Sequence, residues 1–269
     1  MTPTADIPAG FRAELIALDV DDTLIPWNGS IGERVVDAIE RVQDAGVLVV
    51  LATGRTPSTT IPIARAAGIN DLVVCSNGAL LVSVETEKTI ESVTFDPRPV
   101  LEELVEHLPD AVFAVEDTNG IFHTTRMFPA GALGLSIREV PFEHLLREPV
   151  IRLVVRSEQH IDTGFGPIVE KLGYESAIFG VGDVAWMDVA AKGVNKATML
   201  QRVCERRGID PANTIAIGDF WNDIEMLRWA GLGVAMGSAA EAVKAAANTV
   251  TSGVPGDGVA DVLDALTLT

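Results

Sequence analysis

Three carboxylates crowd one short stretch, Asp19-Val20-Asp21-Asp22-Thr23-Leu24, directly after the apolar run Leu15 to Leu18. Like charges this close raise one another's pKa in a dry site, and a divalent cation removes the conflict. A carboxylate beside a bound cation stays ionised and can act as a nucleophile. The bland alternative is an acidic turn in water. Other stretches bear on the choice: Thr53-Gly54-Arg55, Ser76-Asn77, Lys196, and the pair Asp219 and Asp223. Together these residue types can move a phosphoryl group. Asp19 is the candidate nucleophile. Asp21 can protonate the leaving oxygen and later deprotonate the attacking water. The Thr53 hydroxyl and the Gly54 amide can donate to phosphoryl oxygens. Lys196 sits near a helix N-terminus and can bring positive charge to the same oxygens; Lys192 is a less well placed competitor. Asp219 and Asp223 are one helical turn apart, so both can face a Mg²⁺ that Asp19 also holds. An oxygen-only, carboxylate-rich set suits that ion.

These residues need elements that bring them to one place. Leu15 to Leu18, Val47 to Ala52, Asp71 to Cys75 and Thr214 to Gly218 are apolar runs of the kind found in strands covered on both faces. Between the first two, Ser30-Ile31-Gly32-Glu33 matches a capping box with Ser30 as N-cap, and Val35, Val36, Ile39 and Val42 repeat at helical spacing. Thr56 and Pro57 open a second helix that closes at Gly68, and Asn195 can cap a third. Strand, helix, strand, helix, strand is the rhythm of a doubly wound α/β fold with a parallel, Rossmann-like sheet. Ligands of such sheets bind beyond the carboxyl ends of the strands, where Asp19, Thr53, Ser76-Asn77 and Asp219 all fall.

The rhythm breaks between residues 84 and 190. A hairpin is expected around Glu85-Thr86-Glu87, then a helix over 99–108, strands over 111–115, 151–155, 174–179 and 185–189, and a helix over 162–172; residues 128–146 follow no clear pattern. This reads as an inserted α+β cap domain at 84–190, with 1–83 and 191–269 forming the core. Near the end, a short strand over 232–235 and helices over 239–247 and around Val259, Val262, Leu263 and Leu266 complete the core.

The set Asp-Val-Asp-Asp-Thr-Leu, Ala-Thr-Gly-Arg, Lys-Gly-Val-Asn-Lys and Gly-Asp-Phe-Trp-Asn-Asp resembles the haloacid dehalogenase superfamily. Ser-Asn-Gly-Ala at 76–79, Ala-Met-Gly-Ser at 235–238 and Asp-Gly-Val at 257–259 resemble its Cof-type phosphatases, which carry a type IIB α/β cap. The resemblance spans nearly the whole core, in family order. It implies Mg²⁺-dependent hydrolysis of small phosphate monoesters, often sugar phosphates, through an aspartyl-phosphate. It implies Asp19 as nucleophile, Asp21 as acid and base, and metal ligation by Asp19, the Asp21 backbone carbonyl and Asp219. Asn222, inside the last motif, is a further candidate for binding substrate. Asp22 departs from the family, which often has Gly there. The acidic second position argues against a dehalogenase, and the lack of apolar spans argues against a P-type ATPase.

Bulk properties narrow the partners. The 269 residues are 48% hydrophobic and carry a net charge of −18. So acidic a surface repels nucleic acid and anionic membrane, which leaves a small phosphorylated metabolite as the expected partner. No apolar run is long enough to span a bilayer, and residues 1–10 lack a basic cluster and an apolar core, so a cytoplasmic location is expected. Cys75 and Cys204 are expected to be buried free thiols. Oligomeric state is not legible. Within the insert, Glu116, Asp117, His123, Arg126, Arg152 and Asp188 are polar candidates for reading the leaving group. Arg55 is expected to brace its loop; Trp186 and Trp221 either flank the entrance or pack in the core. The alternatives are a phosphomutase, which would need clustered arginines among Arg98, Arg126, Arg138, Arg147, Arg152 and Arg156, and a non-catalytic phosphate-binding regulator.

Overall fold

The computed structural model describes residues 5–27, 29–129, 132–157, 174–181 and 184–267. Two sheets organise the chain. The first has eight strands in the order β14-β13-β12-β1-β2-β3-β4-β5. They are β1 Leu15–Leu18, β2 Leu48–Ala52, β3 Leu72–Cys75, β4 Leu80–Ser83, β5 Thr89–Ser92, β12 Thr214–Gly218, β13 Leu232–Ala235 and β14 Thr249–Val250. From β14 to β3 every neighbour runs parallel, and β4 and β5 add an antiparallel edge.

Alternation along the strands explains why the runs are apolar throughout. On β1, Ile16 and Leu18 join one hydrophobic cluster, while Leu15 and Ala17 join the cluster on the other face. On β2, Val49 and Leu51 divide from Val50 and Ala52 in the same way. Both faces are covered, which is the doubly wound arrangement. The chain moves from β1 outward through β2 and β3, and later returns to the opposite side with β12. The strand order therefore reverses between β1 and β12, where a ligand crevice opens in such sheets.

The second sheet has six strands in the order β10-β11-β9-β6-β7-β8: β6 Val112–Glu116, β7 Phe122–Thr124, β8 Ile137–Glu139, β9 Arg152–Ser157, β10 Tyr174–Val181 and β11 Val184–Ala191. The helix Arg98–His107 packs Val100, Leu101 and Leu104 with Phe113, Val115, Leu153 and Val155. The opposite face holds Val112, Ala114, Phe122, Val154 and Trp186. The hairpin expected at the start of the insert is present, but its second strand, β5, closes the edge of the first sheet.

Several local expectations change. Ser30 does not cap the first helix. That helix is Glu33–Asp44 with Gly32 as N-cap, because its first i to i−4 bond runs from Val36 to Gly32. Thr56 does stand at the N-cap of Pro57–Ala66, but its hydroxyl pairs with Ser58 at 3.0 Å instead of capping. Residues 128–146, left without assignment, contain β8 and the short helix Phe142–Leu145. The helix expected over 239–247 is confined to Glu241–Lys244, and β14 is an added strand. The helix expected over 162–172 lies outside the described residues. Both cysteines are buried and free. No helix among the described residues is long and apolar enough to cross a membrane.

Candidate active site

The crevice residues arrive there for local reasons. Asp19 continues β1, its amide donating to the Ile217 carbonyl of β12 at 3.0 Å. Thr53 continues β2, its amide bonding to Val74 at 2.9 Å. Asn195 Oδ1 accepts from the Thr198 amide while the Thr198 hydroxyl oxygen accepts from the Asn195 amide, a reciprocal cap that fixes where the helix Lys196–Arg207 begins. Gly78, at φ +96°, lets the 76–79 turn reach this start: a Cβ there would lie 2.1 Å from the Asn195 carbonyl oxygen. Lys192 is exposed, whereas Lys196 is fully buried.

Lys196 Nζ lies 2.5 Å from Asp19 Oδ1 and 2.6 Å from Asp223 Oδ1. The other Asp223 oxygen accepts from the Asp219 and Phe220 amides, each at 3.0 Å. Gly218 makes room for that fold-back, since a Cβ there would fall 2.5 Å from the Asp223 carboxyl carbon. Asp219 Oδ1 accepts from the Thr23 hydroxyl at 2.8 Å. Oxygens of Asp19, Asp219 and Asp223 all lie within 4.8 Å of one another, an acidic cluster suited to a divalent cation.

The electrostatics follow from this crowding. Burial, then the Asp223 charge, push the Asp19 carboxyl well above its usual range, and Lys196 opposes them. Burial works against the Lys196 ammonium, but Asp19 and Asp223 outweigh it and hold the pKa above the ordinary lysine value. Burial raises Asp219 to about 6 against the stabilising bond from Thr23. An added cation would relieve both raised acids.

Asp21 stands apart from the acidic cluster. Arg55 grips it with two nitrogens, Nε to Oδ2 at 2.8 Å and Nη2 to Oδ1. Arg55 therefore does brace its loop, and it does so through Asp21, a pairing that spacing alone did not reveal. Asp22 sits at φ +56°, a left-handed conformation that favours glycine, and its side chain accepts from the Trp27 amide. Asn222 Nδ2 donates to Asn77 Oδ1 at 2.9 Å, and Asn77 Oδ1 also lies 3.0 Å from where a Gly54 Cβ would be. Gly54, Asn77 and Asn222 thus form one wall of the crevice.

Of the insert's polar candidates, Glu116, Arg152 and Asp188 come together. Arg152 bonds Glu116 Oε2 through Nε at 2.9 Å and approaches Asp188 Oδ2 at 3.4 Å. Burial raises Glu116 and Asp188 against the Arg152 charge. The register of β6, β9 and β11 groups them, since Glu116 pairs with Arg152 and Asp188 with Val154, two residues along from Arg152 on the same face. His123 instead pairs with Asp117 at 3.1 Å and stacks on His144, and Arg126 is spent on the Asp110 and Ala111 carbonyls. Trp186 is buried against Phe128, while Trp221 is more than half exposed.

Comparison with known proteins agrees with this geometry. Residues 16–263 match the haloacid dehalogenase-like hydrolase family. The chain is 29% identical to the pyridoxal phosphate phosphatase YbhA of Escherichia coli (strain K12), over 93% of this chain and 97% of the relative. It is 31% identical to a phosphoglycolate phosphatase of Halorubrum lacusprofundi, over 92% and 95%. A solved haloalkanoate (HAD) superfamily phosphatase from Bacteroides thetaiotaomicron superposes with a TM-score of 0.78 at 28% identity, covering 96% of this chain and 97% of that one. The chain belongs to the haloacid dehalogenase-like hydrolase family, and is a phosphatase of its Cof-type branch.

Proposed function

We propose that the protein hydrolyses small phosphate monoesters in a Mg²⁺-dependent reaction through an aspartyl-phosphate on Asp19, with sugar phosphates as the first substrate class. The observation that carries this reading is Lys196, buried between Asp19 and Asp223 at the strand-order reversal, with Asp219 beside them. Asp19 and Asp219 would hold the cation. Both Asp223 oxygens are already engaged, so Asp223 would support the site by holding Lys196 and the 219–220 backbone. The bound cation would supply positive charge to the phosphoryl oxygens and keep Asp19 ionised.

The residues then divide the work. Asp19 Oδ attacks phosphorus while the ester P–O bond breaks. Asp21, released from its pair with Arg55 and carrying a proton, gives that proton to the departing oxygen. The Asp21 carboxylate next takes a proton from water as that water attacks phosphorus, and the bond to Asp19 breaks to leave inorganic phosphate. Lys196 and the Thr53 hydroxyl meet the charge on the equatorial oxygens in both displacements. Asn222, Asn77 and Gly54 shape the wall beside them. The mutase alternative loses support because Arg98, Arg126 and Arg152 are engaged with protein acceptors.

Rapid-quench digestion of an Asp21→Asn enzyme mixed with p-nitrophenyl phosphate and Mg²⁺ tests this, because nitrophenolate leaves without a proton while hydrolysis of the adduct still needs the base. The expected result is phosphate on the peptide containing Asp19. Turnover by this variant with no such adduct would overturn the covalent route.

A further inference from the structure

Arg152 belongs to the inserted sheet, yet it reaches the core. Its Nη1 donates to the Gly54 carbonyl at 3.0 Å. Its other nitrogens hold Glu116 Oε2 at 2.8 and 2.9 Å, and its guanidinium lies over the Phe122 ring at 5.2 Å. The remaining oxygen of the fully buried Glu116 accepts from the Ser76 hydroxyl at 2.7 Å, so the second tie also ends in the core. The insert is thereby fastened to both loops that follow β2 and β3. A buried ion pair is weak evidence for stability, because desolvation offsets much of its attraction. Its geometry says more.

The Gly54 carbonyl shares a peptide plane with the Arg55 amide. That amide donates to Thr53 Oγ1 at 3.2 Å. The same turn is tied to its neighbour by Asn77 N to Thr53 O at 3.0 Å and Ser76 N to Arg55 O at 2.9 Å. One acceptor site of Thr53 Oγ1 is thus occupied from the side that Arg152 fixes. The hydroxyl proton is left for a different acceptor.

We propose that Arg152 is a positioning residue: from the insert it fixes the Gly54–Arg55 peptide, and through it the direction in which Thr53 donates to a phosphoryl oxygen. Glu116 and Ser76 hold Arg152 in that pose. The proposal rests on the reading of Thr53 as a phosphoryl donor given above. On this account the insert completes the phosphate pocket as well as covering it, so its loss is felt whatever the leaving group.

The test uses the full-length enzyme with Mg²⁺ and the variants Arg152→Gln, Arg152→Lys, Thr53→Val and the double variant Arg152→Gln with Thr53→Val. Two esters are compared, p-nitrophenyl phosphate and a hexose phosphate, together with inorganic phosphate as an inhibitor. Arg152→Gln should lower kcat/KM for both esters by the same factor, on the order of 10- to 100-fold, the scale of a misplaced group. Inorganic phosphate should bind more weakly by a similar factor. Arg152→Lys should recover little, because an ammonium cannot reproduce the planar fork. Thr53→Val should cost almost nothing further in the Arg152→Gln background. Losses that differ between the two esters would make Arg152 a reader of the leaving group and overturn the proposal. Additive losses, or a lowered Tm with unchanged kcat and phosphate affinity, would make it merely structural and overturn it too. If Arg152→Gln does not fold, Arg152→Lys and Ser76→Ala carry the same comparison against Thr53→Val. An active wild type with an unaffected Arg152→Gln fails this proposal alone; a wild type that releases no phosphate fails the functional reading and this proposal together.

Discussion

Lys196 Nζ meets Asp19 Oδ1 at 2.5 Å across 177 residues of sequence, and both side chains are buried. Its second bond, to Asp223, makes it the only positive group between two acids in the described site. Lys196→Met keeps the bulk and removes the charge. The metal-free variant should lose about 3–5 kcal/mol, the scale of breaking a buried ion pair, and Mg²⁺ should restore more stability to it than to the wild type. Urea unfolding with and without Mg²⁺ measures both. Equal responses of the two proteins to Mg²⁺ would separate Lys196 from the cation site.

Asp219 gives the site a pH dependence. Its folded-state value of about 6 lies above the ordinary 3.8, so the metal-free fold holds that proton more tightly than the unfolded chain. Its contribution to metal-free stability therefore falls as pH rises from about 4 to 6. A cation must displace the proton, so Mg²⁺ affinity should weaken below pH 6 by up to about tenfold per unit. Calorimetric titration at pH 5, 6 and 7, values chosen to bracket that pKa, reads the slope. Flat affinity across the range would contradict this role for Asp219.

Asp21 is assigned proton transfer, and leaving-group chemistry isolates that role. Asp21→Asn should lower kcat for an alkyl phosphate by about 10²- to 10⁴-fold, the range of general acid–base catalysis. The loss for p-nitrophenyl phosphate should be much smaller in the first displacement, because nitrophenolate departs without a proton. Comparing the burst of nitrophenolate with the rate on the alkyl ester separates the two. An equal loss of burst and alkyl-ester rates would place Asp21 elsewhere in the mechanism.

Gly218→Ala tests how Asp223 is held. A methyl group there would fall 2.5 to 2.7 Å from the Asp223 carboxylate, so that side chain must move. Overpacking of this kind costs about 1–3 kcal/mol. Displacing Asp223 would also free Lys196, so activity should fall beyond what lost stability explains. Thermal melts paired with kcat on the folded fraction give the answer.

What the sequence made legible was local chemistry and two-sided burial. The strands at 15–18, 214–218 and 232–235 sit where their apolar runs put them, and Asn195 caps its helix through its own side chain. The convergence of Asp19 and Asp219 followed from placing each at the end of a parallel strand, and that of Asp223 from its spacing one helical turn beyond Asp219. Ser30 was misleading because a capping box pattern does not settle which carbonyl accepts the first helical bond. β5 carries Thr89 and Glu91, too polar to signal that it would close the sheet edge. Glu116 and Arg152 stayed separate in the sequence because antiparallel register joins residues 36 apart, and no short-range pattern encodes that pairing.

The reaction at issue is hydrolysis of phosphate monoesters by Asp19 with a divalent cation. Its most direct test is phosphate release from a panel of small esters by the wild type and by Asp19→Asn, each with Mg²⁺ and with EDTA. Release by the wild type with Mg²⁺, its loss in EDTA, its return when Mg²⁺ is restored, and its absence in Asp19→Asn are the predicted results. Release that persists in EDTA, or in the Asp19→Asn enzyme at the wild-type rate, would contradict the account.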